Sequence, residues 1–245
     1  MHAAAVHGQD GARLERGEVG AALPPPGHSR PPPAHGPPRT RHSPPRPHVF
    51  SDGACEDDGA TQTIGFVVAI PRDDAPPIEP HQPPSVAVLQ RFYQLRHGGA
   101  PIPADLSNAL IARKQQIGQV EIIGALAPYL SLPTQLAGRD IIHFIDNTSA
   151  LSALTKGYSS VPDSARLVHT FHAWAAGASA NVWFEYVPSA PNSADEPSRE
   201  LALAREIYHP APGLTSLPCK ARFPKLEALG SASEWLREAL RVKRA

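Results

Sequence analysis

Apolar and polar positions along the chain fall into blocks with two different periods. His48-Val49-Phe50 is a short β-prone run that ends on Ser51-Asp52-Gly53-Ala54, and residues 48 to 54 are predicted as a first strand. Asp57-Asp58-Gly59 is a hairpin signal. Thr63 to Ile70 (TIGFVVAI) is apolar on both faces, which predicts a central strand, and Pro71 ends it. Val86 to Leu95 reads as a third strand, with a short helix as the alternative. A helix is predicted over about 108–127, because Ile117, Val120, Gly124 and Ala127 follow helical spacing and Pro128 kinks or ends it. Ile141 to Ile145 (IIHFI) is nearly all apolar and suits a buried parallel strand. Thr148 to Lys156, closed by Gly157, and Asp163 to Ala176 are predicted helices. Val182 to Val187 is a predicted strand, and Asp195 to Ile207 a helix. Ser233 to Val242 is a last, amphipathic helix.

The order is therefore β-β-β-α-β-α-α-β-α. A meander followed by βα alternation implies an α/β fold, a mixed sheet with helices on its faces and right-handed parallel crossovers. The organisation expected is a disordered Pro-rich tail over 1–46, one domain over 47–208, and an extension over 209–245 carrying the amphipathic helix.

Composition adds three constraints. Residues 23 to 47 hold 11 of the 29 prolines and almost no apolar side chains, too few to offset the entropy of ordering. Lys plus Arg equals Asp plus Glu, 23 each, so no global field marks a polyanion binder. Cys55 and Cys219 give neither a disulfide framework nor a zinc pattern, and read as thiols of an intracellular, reducing compartment, nucleus or cytoplasm. No apolar run approaches the ~20 residues of a membrane span.

Four carboxylates stand out. Asp52 and Asp146 each end a predicted strand; if those strands are parallel neighbours, the two acids converge at one sheet edge, where sites of α/β folds form. Small residues after Asp52 leave room for a ligand. Glu121 shares an otherwise apolar helix face with Ile117, Gly124 and Pro128, a costly place for a charge without a partner. Asp195 follows the last strand and is also a plausible helix N-cap. His143 reads as a satisfied core histidine, and Trp174, Trp183 and Phe184 read as core.

Taken in order, "FSDGA" (Asp52), "VEIIGAL" (Glu121), "FIDNTSAL" (Asp146) and "VPSAPNSADEPSR" (Asp195) resemble the four-carboxylate site of the ribonuclease H fold. The last two motifs are most similar to the ribonuclease H domains of retroelement reverse transcriptases. The resemblance covers about residues 47 to 207 and implies a ribonuclease H-like, mixed five-stranded sheet flanked by helices. The Pro-rich stretch between Asp52 and Glu121 is long for that family, and the loop before Asp195 lacks the histidine that many relatives carry.

The resemblance implies an endonuclease that hydrolyses the RNA strand of RNA–DNA hybrids. Oxygen-only ligands favour Mg²⁺, with Mn²⁺ as the other ion such a set accepts. Two ions would balance four negative charges, ~3.5–4 Å apart as in two-metal sites. Asn147, Asn192, Ser198 and Arg199 are the substrate-contact candidates. The partner implied is nucleic acid, not a membrane; the sequence names no polymerase partner. The competing reading is a catalytically inactive relative that binds nucleic acid or protein through the same fold.

Overall fold

The structure is a computed structural model that describes residues 45–76, 84–113 and 116–225. The expected tail, apart from its last two residues, and the C-terminal amphipathic helix lie outside the described residues.

In chain order the elements are β1 (His48–Glu56), β2 (Thr61–Pro71), α1 (Val86–Phe92), β3 (Tyr93–Pro101), α2 (Ala104–Asn108), α3 (Ile117–Ser131), α4 (Pro133–Leu136), β4 (Asp140–Ile145), α5 (Thr148–Lys156), α6 (Pro162–Ala178), β5 (Asn181–Tyr186), α7 (Asp195–Arg199), β6 (Tyr208–Ala211) and β7 (Leu214–Pro218). A single 3₁₀ turn, Asp57–Gly59, joins β1 to β2. The fold is the α/β class expected of a ribonuclease H-like chain, a mixed sheet flanked by helices. Among the described residues it has seven strands rather than five, in the order β5-β4-β1-β2-β3-β7-β6.

β1 pairs antiparallel with β2 and parallel with β4, so the condition for Asp52 and Asp146 to converge is met. β4 is buried between two parallel neighbours, and β2 is central, as their apolar runs predicted. Ile64, Phe66 and Val68 of β2 face α3, while Val67 and Ala69 join the smaller core under α1 and α7. Burial on both faces is the reason this strand shows no polar alternation.

Helix α5 starts and stops where the sequence said. Asn147 Oδ1 accepts from the N–H groups of Ser149 and Ala150 at 3.1 and 3.0 Å, and Gly157 closes the helix at φ 76°. Other boundaries moved, each for a tertiary reason. Residues 86–92 are helical, capped by Ser85, and the third strand starts only at Tyr93. The long helix begins at Ile117, not 108, because the preceding segment is tied to α6 instead. Asp163 accepts from Ile111 N–H at 3.0 Å and pairs with both carboxylate oxygens to the Arg113 guanidinium at 2.8 and 2.7 Å. The same helix runs through Pro128 to Ser131; it is buried from Gln119 to Tyr129, and packing on both sides outweighs the one lost backbone bond.

The helix expected over Asp195 to Ile207 is one turn long. Beyond it Leu203 gives its carbonyl to His97 Nε2 at 2.9 Å, a bond that a continuous helix would not leave free. The chain then forms the hairpin β6–β7, turning through Gly213 (φ 77°), and β7 pairs parallel with β3. These are the two additional strands.

The core readings hold for His143 and Trp174. His143 is fully buried, with Ser51 Oγ at 2.9 Å from one ring nitrogen and Tyr129 Oη at 2.9 Å from the other. Burial pulls its pKa down to about 3, so it is a neutral bolt between β1, β4 and α3. Trp174 is buried; Phe184 packs on the same core, and Trp183 is half-buried.

Candidate active site

The parallel register of β1 and β4 ends on Ser51 opposite Ile145, which sets the next residues, Asp52 and Asp146, side by side. Helix α3 delivers the third acid. Its axis lies close against β1 because Gly53 meets the Val120–Glu121 backbone and Gly124 meets that of Asp52, neither with a side chain in between. A Cβ on Gly53 would stand 2.8 Å from the Glu121 nitrogen, and one on Gly124 would stand 2.7 Å from the Asp52 carbonyl oxygen. The small residue after Asp52 was expected to admit a ligand; it admits a helix. Gly53 N–H then donates to Glu121 Oε2 at 3.1 Å. Asp52, Glu121 and Asp146 each offer a carboxylate oxygen, and these three atoms lie within 4.8 Å of one another.

The contact also makes a prediction. Gly53→Ala places a methyl group against backbone that has no rotamer to escape into. We expect a loss of ~1–3 kcal/mol in urea unfolding and a weaker response of the melting temperature to Mg²⁺. A variant with wild-type stability and wild-type Mg²⁺ response would show that α3 does not need this approach.

The trio is under electrostatic strain without a cation. Asp52 is 3% and Glu121 4% exposed, and Asp146 is half-buried. Burial, with Asp52 and Asp146 as like charges, pushes Glu121 up to about 9, against the Gly53 N–H and the Asn147 amide, which favour the charged form. Burial pushes Asp52 up to about 6; the Ser198 hydroxyl opposes this, and Asp146 and Asp195 add to it. Hard oxygen donors, buried and short of positive charge, fit a divalent cation such as Mg²⁺ or Mn²⁺.

Asp195 is not in the trio. It is the first residue of α7, not its cap, which is Ala194. Its carboxylate pairs with Arg199 Nε at 2.9 Å on the exposed side, so Arg199, a substrate-contact candidate, makes a surface ion pair instead. Asp195 still lies close enough to raise the pKa of Asp52.

The remaining candidates hold the scaffold as the structure places them. Asn147 caps α5 and bonds Glu121. Asn192 is buried and donates to Ser51 C=O at 3.1 Å, pinning the loop before α7 to the strand that carries Asp52. Ser198 is fully buried, its Oγ bonded to Asp52 Oδ2 and 2.7 Å from the Asp195 carbonyl. One hydroxyl has one proton, so Ser198 donates to one of these at a time.

Sequence reasoning missed what seats α7. In the sheet, Asp52 pairs with Gly65 and Gly65 with Gly99. A Cβ on Gly65 would fall 2.3 Å from Ser198 N, and one on Gly99 2.2 Å from Pro197 C=O. This bare strip lets α7 lie on β2 and β3 and bring Ser198 to Asp52. Gly65 interrupts the run TIGFVVAI, and that interruption is the signal that could have found it.

No family model matches the sequence, and no curated protein matches it. Among the solved structures similar to it are two ribonucleases H. One is the crystal structure of RNase H1 from the halophilic archaeon Halobacterium salinarum NRC-1, at 20% identity over 64% of this chain and 97% of that chain, with a TM-score of 0.42. The other is LC9-RNase H1, a type 1 RNase H with the type 2 active-site motif, at 13% identity over 82% of this chain and 88% of that chain, with a TM-score of 0.44. Neither is a reverse-transcriptase domain, and the resemblance to those domains is one of sequence motifs alone, around Asp146 and Asp195. No helix among the described residues is long and apolar enough to cross a membrane.

Proposed function

We propose that this chain is a metal-dependent endonuclease of the ribonuclease H type, hydrolysing the RNA strand of RNA–DNA hybrids and of retroelement origin. The observation that carries the reading is the meeting of Asp52, Glu121 and Asp146 within 4.8 Å, where β4 and its pairing with β1 end and β1 runs on beside β2 alone. These three would hold the metal, with Asp195 at the rim as the fourth acid. Bound divalent ions supply positive charge and polarise water and the scissile phosphate.

The chain's own groups do the rest. Gly53 N–H and Asn147 hold the Glu121 carboxylate, and Ser198 holds that of Asp52, so the donor atoms are oriented before a ligand arrives. No histidine precedes Asp195 in its loop. His209 stands on β6, separated from β1 by β2, β3 and β7, with Nδ1 3.3 Å from Thr215 Oγ1. The pH–rate profile is therefore expected to lack a limb from a loop imidazole.

The test is cleavage of an end-labelled RNA–DNA hybrid with and without millimolar Mg²⁺. Products ending in 3′-hydroxyl groups, formed only with metal and only from the RNA strand, are the expected result. A hybrid left intact under all metals would sink the reading. One observation favours the inactive alternative: the Asp195–Arg199 pair removes one acid from the cluster. Hybrid binding without cleavage would select that alternative.

A further inference from the structure

The hairpin β6–β7 and the chain after it build a second concave surface at the same sheet edge. β7 pairs with β3 only over Leu95, Arg96 and His97. Past that point β3, still paired with β2, runs on through Gly99, Ala100 and Pro101 without β7 beside it, and a groove of about 630 Å³ opens on that side. Its walls are largely apolar, Leu201, Ala204 and Phe223 among them, and two cations project there, Arg205 and Lys220. Among the described residues no acidic side chain lines it, and from Ile207 to Lys225 the chain carries no Asp or Glu. Among the described residues neither the Arg205 nor the Lys220 side chain is in an ion pair or hydrogen bond. Both are exposed.

The two cations reach the groove from different segments, and one buried residue fixes both. The backbone carbonyl of His97 accepts from Cys219 N–H at 2.8 Å, one residue before Lys220. Its ring Nε2 lies 2.9 Å from Leu203 C=O, two residues before Arg205, and its Nδ1 lies 3.1 Å from Ser216 Oγ on β7. A carbonyl can only accept, so Nε2 carries the proton and Nδ1 accepts from the serine. The cations thus stand on anchored backbone, with no partner for their side chains among the described residues.

Register relates the groove to the carboxylates. Gly99 is level with Asp52 across β2, and β3 runs parallel to β1. With strands ~4.8 Å apart, the groove begins about 10 Å from β1 along the same edge and reaches β7 at about 14 Å. For a duplex whose axis lies across the strands, each nucleic-acid strand places about three or four phosphates over that distance, at ~3.4 Å of axis each.

We infer that Arg205 and Lys220 form a phosphate clamp for the nucleic-acid strand, holding the backbone three or four nucleotides from the carboxylate trio. This rests on the proposed nuclease function for its ligand, but not on the metal. Two unpaired cations above an apolar wall suit a phosphodiester with its sugar or base against Leu201 and Phe223. An acidic peptide would leave that wall unused.

The test is a binding titration of the full chain in EDTA, where no cleavage interferes. A fluorescent RNA–DNA hybrid is followed by anisotropy from 50 to 300 mM salt, for wild type, R205A/K220A, R205E/K220E and the control Lys156→Ala. The alanine pair is expected to weaken binding at least ~10-fold at low salt and to flatten log K against log salt by about 1.8, at ~0.9 per phosphate contact. The glutamate pair should lose more, and the control little. Unchanged affinity and slope in both double variants would overturn the clamp. So would an equal loss in the control, an absence of hybrid binding by wild type, or displacement of the hybrid by micromolar nucleoside monophosphate. Wild-type binding with the expected losses, alongside a hybrid that is never cut, would overturn the nuclease reading and leave the clamp standing.

Discussion

Asp146→Asn is expected to reduce hybrid cleavage by at least ~10²-fold, the scale seen when one preorganised charged group is lost from a reacting centre, with the circular dichroism spectrum unchanged. Asp146 is the most open of the three clustered acids and follows the last paired residue of β4. Asparagine has the same shape. It keeps the strand end and leaves the Asn147 cap of α5 in place. What it removes is one negative oxygen donor from a set whose other members sit on β1 and α3. Cleavage and the far-ultraviolet spectrum should be measured on the same preparation. Turnover near the wild-type rate would remove the trio from the chemistry.

Glu121→Gln is expected to do the opposite to the metal-free fold and make it more stable at alkaline pH. Glu121 is raised from 4.5 to about 9 and Asp52 from 3.8 to about 6. Over those intervals the unfolded chain has lost protons that the folded protein still holds. The unfolded state binds fewer protons, so stability falls as pH rises. The full contribution is present below about pH 4; the Asp52 part is gone once pH passes about 6, and the Glu121 part once it passes about 9. Glutamine mimics the protonated acid and can still accept from Gly53 N–H. Its melting temperature in EDTA at pH 8 should exceed the wild type's by roughly 4–8 °C, for a gain on the order of 2 kcal/mol. Millimolar Mg²⁺ should stabilise the wild type, more at pH 8 than at pH 5, because the ion binds the ionised form. In Glu121→Gln that shift should largely vanish. Equal melting profiles for the two proteins across pH 5 to 9 would mean that Glu121 is not held under this strain.

How far the sequence revealed the fold depended on where each instruction is written. Strands β1, β2, β4 and β5 and helices α5 and α6 were legible, because their burial pattern and caps lie within their own residues: Asn147 and Gly157 bracket α5 without help from elsewhere. The start of α3 was not, since Asp163, far along the chain, holds Ile111 and Arg113 out of the helix. Nor was the β6–β7 hairpin, whose place beside β3 depends on His97 reaching Leu203 and Ser216. The site shows the same division. Asp52, Glu121 and Asp146 could be picked out from acids at strand tips and on an apolar helix face. The glycine contacts that bring α3 and α7 onto the sheet are tertiary, as is the ion pair that turns Asp195 toward Arg199.

The parallel pairing of β1 with β4 has a kinetic consequence. β1 closes its hairpin with β2 across one short turn, whereas the bond between Ser51 and His143 joins residues 92 positions apart. Closing so long a loop is slow, and it follows the local meander. Docking of β4 on β1 is expected to follow closure of that meander, so Asp52 is expected to meet Asp146 late in folding. Interactions made that late govern escape from the native state far more than arrival at it. A cation on these carboxylates should leave the refolding rate nearly unchanged and slow unfolding, so that its protection is measured as a lifetime.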